Sequence, residues 1–356
     1  MNRTTLIVVV VLLVQFLVGS CTKKEENAYH FPLASENNIN EKALSEAYVR
    51  AGEIRNLRSL LVARDNVLIS EIYFAPNARD ELHDVMSVTK SVTSTLVGIA
   101  IDKGYISSLD QTLGDFIDPS VYNLPADKAA ISLYNMLRMS AGIPWKELGG
   151  ESEFVDWYYH SADHINYILD KEMTYTPGSQ FNYSDGTAHL VSVVLTEATG
   201  MTALEFAAEN LFEPLGIEAY SWTVDNRGYN FGGVRLKITP LTMLKFGQMI
   251  LDNGIYESLQ IVSASWIDQA TRSHIETGDI VPFQNGYGLF WWTGRTNGVD
   301  YFFANGYGGQ FIVILPSLEM VVVASNTISG VPDATCGEQW YQTMDVIVNY
   351  IIPAAV

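Results

Sequence analysis

Cysteine is nearly absent from this chain, which has only Cys21 and Cys336 among its 356 residues. Two cysteines cannot form a disulfide scaffold, and no disulfide can form within a monomer if Cys21 is lipidated.

Basic residues are also scarce, since 21 lysines and arginines stand against 40 acidic residues and leave a formal net charge of −19. Nucleic acid is therefore excluded as a partner, because phosphate binding needs basic patches. Stability must come from a core, for which a 48% hydrophobic composition is sufficient.

One apolar run stands near the N-terminus, over residues 6–18, and Arg3 precedes it. It is shorter than the roughly 20 residues of a membrane-spanning helix and is typical of a secretory signal, here residues 1–20. Small residues before Cys21 resemble a bacterial lipobox, which predicts acylation of Cys21. An ordinary cleaved signal with a chance cysteine is the alternative. The polar segment 21–45 is predicted to be a flexible tether. We thus expect an exported protein of the bacterial cell envelope, facing the periplasm or anchored as an outer-membrane lipoprotein.

The strongest chemical pattern is Ser87 followed three positions later by Lys90, because such a pair shares one face of a helix. A neutral lysine amine there could take the serine hydroxyl proton. Spacing alone is weak evidence, since Ser20 and Lys23 repeat it. Around Ser87, however, residues 85–103 carry an apolar stripe at helical spacing. Ser87 as a simple helix cap, with Lys90 in solvent, is the plain alternative.

Strand-like segments occur at both ends of the mature chain and helical segments lie between them. Residues 57–63 and 67–73 are predicted as a hairpin, and 287–292, 301–304, 310–315 and 320–324 as consecutive antiparallel strands. The predicted helices are 131–139, 154–169, 186–199, 203–211, 239–251 and 340–352. This is an α/β (α+β) fold: an antiparallel sheet from the N- and C-terminal strands, flanked by helices. The predicted division is an α/β domain of residues 46–107 and 229–356 with an inserted helical domain, residues 108–228.

Five segments together resemble the penicillin-recognising serine hydrolases, the class C β-lactamase-like superfamily. That group also holds esterases and 6-aminohexanoate-dimer hydrolases, the members this chain looks most like. The segments, from about residue 56 to the C-terminus, are MSVTKS at 86–91, LRMSAGIPW at 137–145, TPGSQFNYSD at 176–185, GGVRL at 232–236 continuing to KFG at 245–247, and NGYGGQ at 305–310. Their order makes the resemblance more specific than any single motif.

The resemblance implies roles for particular residues. Ser87 would be the acylated nucleophile, Lys90 its base or proton relay, and Tyr183 a second proton relay that could act as a phenolate. The backbone N–H groups of Ser87 and Gln310 would form the oxyanion hole. No metal and no other cofactor is implied.

Asp185 departs from the family's commoner Tyr-x-Asn pattern. An ionised aspartate only accepts hydrogen bonds, and beside Lys90 it would hold the amine charged and weaken it as a base. We favour a second interpretation, in which Asp185 caps a helix that starts at Gly186. Its catalytic role is left open, and it is counted among the candidate substrate-binding residues.

Tyr307, Gly308 and Gly309 stand where relatives with β-lactamase or carboxypeptidase activity have Lys-Thr-Gly, and the resemblance therefore implies that they bind substrate. The missing lysine would attract a substrate carboxylate, so its absence predicts weaker selection of penicillins and D-Ala peptides. Arg138 or Arg295 could replace it. The glycines allow close backbone approach, although a simple hairpin turn also explains them.

Most of the chain's aromatic residues are expected in the core, with Trp145 and Tyr158 as candidate substrate contacts. His160 and His164 are four residues apart but lack the glutamate of the zinc protease motif, so a solvated helix face is favoured. A Ser-His-Asp triad through His189 or His274 stays open.

The sequence thus predicts a serine hydrolase that acts through an acyl-enzyme on a small ester or amide and is held to the membrane by a lipid anchor. The alternatives are a β-lactamase or D-Ala-D-Ala carboxypeptidase, and a non-hydrolytic envelope binding protein on the same fold. Oligomeric state is not predicted.

Overall fold

The computed structural model describes residues 29–148 and 152–356. The predicted signal peptide and the lipidation of Cys21 lie outside these residues. In the described part of the chain, no single helix has the length and hydropathy of a membrane span. One bent pair of helices, Asp185–Thr199 with Ala203–Phe212, passes that test jointly, and the first of the two is largely buried in the protein core.

An antiparallel sheet of seven described strands is the centre of the fold, and it joins both ends of the chain as predicted. The strands are β1 Leu57–Arg64, β2 Val67–Tyr73, β8 Gly286–Tyr287, β9 Trp292–Thr296, β10 Val299–Gly306, β11 Gln310–Leu315 and β12 Met320–Asn326. Their order in the sheet is β2-β1-β12-β11-β10-β9-β8. The N-terminal strand β1 pairs with the C-terminal strand β12, with Arg64 opposite Met320.

Helices cover both faces of this sheet. Phe311 packs against Trp340, whereas the next residue, Ile312, faces Gly247, and consecutive strand residues point to opposite faces. All residues of β11 and β12 are buried, which explains why their sequences are almost continuously apolar. The helices are α1 Glu41–Ala51, α2 Val88–Asp102, α3 Ala126–Ala129, α4 Leu133–Leu137, α5 His164–Leu169, α6 Asp185–Thr199, α7 Ala203–Ala207, α8 Pro240–Leu251, α9 Ala264–Thr271, α10 Asp333–Val346 and α11 Ile352–Ala354.

Smaller strands complete the described fold. β3 His83–Asp84, β5 Leu236–Ile238 and β4 Ser221–Trp222 form a second sheet, and β6 Ile255–Tyr256 pairs with β7 Leu259–Gln260. The second sheet matters for the site, because β3 leads directly into the segment that carries Ser87 and β5 follows Gly233. The described helices between residues 126 and 212 occupy the region predicted as a helical insertion, while the division into two domains stays a prediction.

The flexible tether predicted for residues 21–45 is wrong in its described part. Phe31 and Ile39 are buried in the core, and α1 begins at Glu41 with Asn40 as its side-chain cap. The segment was polar enough to resemble a linker, yet its few apolar residues are spaced so that they pack on the sheet. Apolar spacing therefore outweighed composition here.

The strand predicted over residues 287–292 is also wrong, because it breaks into β8 and β9. The Gly288 N–H donates to the carbonyl of Trp291 in a turn, and Phe290 has a positive φ of 62°. This turn supplies carbonyl groups to α2: Ser91 Oγ donates to the Phe290 carbonyl at 2.8 Å and Ser94 Oγ to that of Leu289 at 2.7 Å. The turn thus hydrogen-bonds the polar residues of a helix that is buried on all sides from Val88 to Ala100.

Candidate active site

Ser87 lies immediately before α2 and is partly accessible to solvent. Its side chain makes no capping hydrogen bond, so the interpretation of Ser87 as a simple helix cap is not supported. The preceding residue, Met86, has a positive φ of 50°, an uncommon conformation for a residue with a side chain. The Met86 N–H donates to Asp84 Oδ1 at 2.9 Å, which holds this turn in place. The fold therefore presents the Ser87 hydroxyl at the N-terminal end of a buried helix.

Lys90 is buried in the centre of the site and is not in solvent. Its side chain is 1% exposed, and Nζ donates to Ser87 Oγ at 2.8 Å and to the Gly233 carbonyl at 3.1 Å. Asp185 Oδ1 accepts a short hydrogen bond from the same nitrogen. The amine's three hydrogen bonds therefore go to a serine, a carbonyl and a carboxylate.

Asp185 does not cap the helix, and the interpretation that we favoured from the sequence is wrong. Ser184 is the cap of α6, because its side chain accepts from the N–H of Thr187, and Asp185 is the first residue of the helix. The Asp185 carboxylate instead forms an ion pair with Lys90, and the side chain is only 4% exposed. This burial also leaves little of the carboxylate for a substrate to contact. The pattern Ser-Asp-Gly offered two capping residues, and the sequence did not show which one faced inward.

Tyr183 joins Ser87 and Lys90, as the resemblance implied. Lys90 Nζ lies 4.7 Å from the centre of the Tyr183 ring, and the Ser87 side chain acts to lower the pKa of the Tyr183 phenol. Burial, followed by the negative charges of Glu147 and Asp185, raises the pKa of Tyr183 well above its usual value. The phenol is therefore neutral, which argues against the phenolate role considered from the sequence. It is suited to donating a proton.

Glu147 is a member of the site that sequence analysis missed. One of its carboxylate oxygens accepts from the backbone N–H of Asp185 at 2.9 Å and from the indole nitrogen of Trp145 at 2.9 Å. Burial, and then the charge of Asp185, raise the pKa of Glu147 to about 8, against the opposing effect of Lys90. Nothing in the local sequence distinguishes this residue, because an isolated glutamate after a loop motif is usually in solvent.

The glycine turn within the segment NGYGGQ, residues 305–310, joins β10 to β11 and lies against the Ser87 segment. A Cβ atom on Gly306 would come within 2.4 Å of the Val85 carbonyl oxygen. Gly308 and Gly309 have φ values of 74° and 95°, which require glycine in practice. The turn therefore combines a hairpin with the close backbone approach expected at this position.

Tyr307, at the position of the relatives' lysine, is directed to the C-terminal region. It is 42% exposed, and its hydroxyl donates to Asp333 Oδ1 at 2.7 Å. The Gln310 side chain is buried, and its amide nitrogen donates to the Asn326 carbonyl at 2.9 Å. The oxyanion role of the Gln310 and Ser87 N–H groups stays a prediction.

Arg138 and Arg295, considered as replacements for the missing lysine, are both occupied elsewhere. The Arg138 guanidinium binds Asn135 and the Gly178 carbonyl at 3.0 Å. Arg295 lies in the β9–β10 hairpin, is 60% exposed and faces Asp300.

Trp145 and Tyr158, the two aromatic residues predicted to contact substrate, pack against other protein side chains. Trp145 is 4% exposed and belongs to the core, where its ring packs against Trp157. Tyr158 is half-buried and lies beneath the Arg235 guanidinium, 4.4 Å from its ring centre. The aromatic rings that surround Tyr183 are instead Phe181, Tyr287 and Trp292.

The histidines are not part of the Ser87 cluster. His160 is 67% exposed beside Asp156, whereas His164 is buried and contacts Asn226, so the two do not face one another as ligands. Residues 29–148 and 152–356 hold no group of three or more metal-binding side chains. His189 is fully buried and hydrogen-bonds Asp225 at 3.0 Å. His274 hydrogen-bonds Tyr134 and the Gln269 carbonyl. The group that contacts the Ser87 hydroxyl is thus an amine and not an imidazole.

Comparison with known proteins identifies the class to which this fold and site belong. The sequence profile of the Beta-lactamase family matches residues 54–337, which is most of the chain. The chain therefore belongs to the Beta-lactamase family, as a serine hydrolase of the class C β-lactamase-like superfamily.

Particular relatives have modest identity and wide coverage. A 6-aminohexanoate-dimer hydrolase of Paenarthrobacter ureafaciens is 25% identical over 290 residues, which span 74% of this chain and 71% of that protein. Beta-lactamase-like protein 2 of Dictyostelium discoideum is 22% identical over 74% of this chain, and the match spans about half of that relative (48%). Among solved structures, an octameric penicillin-binding protein homologue from Pyrococcus abyssi is 18% identical, has a TM-score of 0.67 and covers 86% of this chain and 76% of its own. The structural likeness supports the fold.

Proposed function

We propose that this protein hydrolyses a small ester or amide through an acyl-enzyme on Ser87. The observation that carries the proposal is the contact of one hydroxyl with Lys90, whose Nζ lies 2.8 Å from Ser87 Oγ, beside the Tyr183 phenol, whose pKa the Ser87 side chain lowers slightly. A nucleophile held in this way can lose its proton as it attacks. The similarity to a 6-aminohexanoate-dimer hydrolase supports a linear amide among the substrates.

In the proposed reaction, the Ser87 proton passes to the Lys90 amine while Oγ bonds to the substrate carbonyl carbon. The carbonyl oxygen becomes an oxyanion, for which the N–H groups of Ser87 and Gln310 are the expected donors. The neutral Tyr183 phenol then donates its proton to the departing oxygen or nitrogen and recovers one from Lys90. Water cleaves the resulting Ser87 ester by the same steps in reverse.

A β-lactamase or D-Ala-D-Ala carboxypeptidase activity is the second candidate, and Tyr307 weighs against it. Its hydroxyl is bound to Asp333, and no lysine stands at the position where relatives with those activities have one. A substrate carboxylate would thus meet a neutral phenol in place of a cation. We therefore favour uncharged acyl groups.

A non-hydrolytic envelope binding protein is the third candidate, and the Lys90–Asp185 ion pair favours it. An ammonium beside a buried carboxylate is a poor base, so turnover could be lost while binding or slow acylation remained. Intact mass spectrometry separates the cases: transient acylation with product release indicates an enzyme, a persistent adduct a receptor, and no adduct a scaffold.

We also infer from the N-terminal sequence that Cys21 is lipidated and that the protein is exported to the bacterial cell envelope. Globomycin-sensitive processing and labelling of Cys21 by an alkyne palmitate would support this. A Cys21→Ala variant that remains membrane-bound would contradict it.

Ser87→Ala tests the hydrolase proposal directly. We expect this variant to lose turnover of p-nitrophenyl esters and linear amide dimers, and to lose labelling by a fluorophosphonate, while its circular dichroism is unchanged. Ser91→Ala is a matched control, because Ser91 lies one helical turn further on and bonds a backbone carbonyl. Turnover retained by Ser87→Ala would remove Ser87 from the mechanism.

A further inference from the structure

Glu147 and Asp185 form a carboxyl pair beside a single ammonium group. Glu147 accepts the Asp185 backbone N–H at 2.9 Å, and burial, followed by the charge and side chain of Asp185, raises the pKa of Glu147. Asp185 in turn contacts Lys90, whose nitrogen touches Ser87. A continuous chain of contacts therefore runs from the serine hydroxyl to Glu147.

Two neighbouring carboxyl groups, one of them buried, cannot both ionise easily, so they tend to hold one proton between them. Trp145 closes one side of Glu147, because its indole N–H donates to the carboxylate and its ring is buried. Burial and the neighbouring Asp185 charge raise the pKa of Glu147 to about 8, which agrees with a shared proton.

The other groups that face this cluster do not change charge near neutral pH. Tyr183 and Tyr287 are phenols whose pKa values are raised well above the usual range, chiefly by burial. Lys171 lies 5.5 Å from the Trp145 ring centre but is paired with Glu153 at 2.6 Å.

Arg235, which directly precedes β5, is paired with Asp84 at 3.0 Å. The Gly233 carbonyl completes the surroundings of Lys90. Within the described residues, Lys90, Asp185 and Glu147 thus form a chain of charged groups that ends at Ser87.

We propose that Glu147 is a positioning residue, an inference that rests on the proposed roles of Ser87 and Lys90. The Glu147 carboxylate lets Asp185 hold a proton. Lys90 is thereby left as the amine that accepts the Ser87 proton. In the resting cluster, Lys90 is an ammonium, Asp185 a carboxylate and Glu147 a carboxylic acid. Release of one proton to solvent leaves a Lys90 amine and one proton shared by the two carboxyls.

The chemical step then balances without any other reactant. The Ser87 proton moves to the Lys90 amine, the Oγ–carbon bond forms, and the carbonyl electron pair moves to oxygen. When the bond to the leaving group breaks, that group takes the Tyr183 proton, and Lys90 returns its proton to Tyr183. The carboxyl pair keeps its shared proton throughout. Without Glu147, Asp185 would carry a full negative charge against Lys90 and hold it as an ammonium.

The test is the pH dependence of Ser87 acylation by a fluorophosphonate, followed by intact mass spectrometry on the full chain. We expect the wild-type rate to rise with pH through about 8. In Glu147→Gln, we expect the rate at that pH to fall on the order of tenfold to 100-fold and its rise to move to higher pH by about one unit or more. Glu147→Asp keeps a carboxyl and should restore the wild-type profile in part. Glu153→Gln is the control, because that carboxylate pairs with Lys171 outside the cluster.

Infrared spectroscopy gives a readout that needs no reaction. Folded wild type should show a carboxylic acid band both below pH 7 and above pH 9, because the carboxyl pair keeps one proton, and Glu147→Gln should lack this band. If Glu147→Gln does not fold, measurement of the band in the wild type at both pH values decides the question, and a wild type without the band at either pH overturns the inference. A folded Glu147→Gln with the wild-type rate and profile overturns it also, while the proposed function stands. A wild type that is never labelled at Ser87 overturns both.

Discussion

Lys90 and Asp185 form a buried ion pair across 95 residues of sequence, with side chains 1% and 4% exposed. Each charge lies in a region where an unpaired charge is strongly unfavourable. Asp185 therefore stabilises the charged form of the amine that the proposed reaction uses in its neutral form. The proposed mechanism has to reconcile stability, which favours this pair, with catalysis, which needs a neutral amine.

Replacement of Lys90 separates these two requirements. Lys90→Met should lower turnover on the order of 100-fold or more, because the acceptor of the serine proton is gone. It should also cost about 3–5 kcal/mol of stability, because Asp185 is left as a buried unpaired charge. Urea unfolding and ester kinetics measure the two effects. In the double variant Lys90→Met with Asp185→Asn, stability should recover and activity should not. If the double variant is as unstable as the single one, the charge explanation is wrong.

Gly233 is expected to control the geometry of the ion pair. A Cβ atom at this position would lie 2.7 Å from Asp185 Oδ1 and 3.1 Å from Lys90 Nζ, closer than such atoms normally approach. Gly233→Ala should therefore displace the two charges and lower kcat on the order of tenfold. Gly337→Ala is the matched control, since Gly337 lies in α10 and a Cβ atom added there would meet no atom outside the local backbone within 4 Å. Equal kcat for both variants would show that the pair tolerates displacement.

The position of Tyr307 tests the argument about penicillins. Tyr307→Lys alone should change acylation by a fluorescent penicillin little, because the new ammonium would pair with Asp333, which now accepts the Tyr307 hydroxyl. With Asp333→Asn added, the lysine is released and acylation should rise on the order of tenfold. Gel fluorescence against time gives the rates. A double variant no faster than the wild type would mean that the missing lysine does not set this selectivity.

His83 should make the fold sensitive to acid. Burial, and then the charge of Arg58, lower the pKa of His83 to about 4. Between pH 6.5 and 4 the unfolded chain thus binds the extra proton, and stability falls as the pH is lowered through this window. The loss attributable to His83 can reach about 3 kcal/mol.

Thermal unfolding of His83→Gln across this pH range measures that contribution. The variant should lose less stability than the wild type between pH 6.5 and 4, and His160→Gln, which changes a 67% exposed histidine, should follow the wild type. Parallel curves for His83→Gln and the wild type would contradict the assignment.

Several parts of the fold were predictable because their signals are local. The β1–β2 hairpin follows from two apolar runs around the turn at Asp65 and Asn66, both of which have positive φ. β11 and β12 follow from unbroken apolar segments. The predicted strand over residues 287–292 failed, because its apolar residues serve a buried turn whose carbonyls bind α2.

The sequence by itself determined the family, the sheet shared by both chain ends, and the closeness of Ser87 to Lys90, because a separation of three residues fixes that contact within one helical turn. Only the tertiary structure decided what surrounds the amine. The contacts of Lys90 with Asp185 and Gly233 span 95 and 143 residues, and Glu147 joins them from a third segment. Burial and charge then set the protonation of these groups, and both depend on the whole packed structure and not on spacing along the chain.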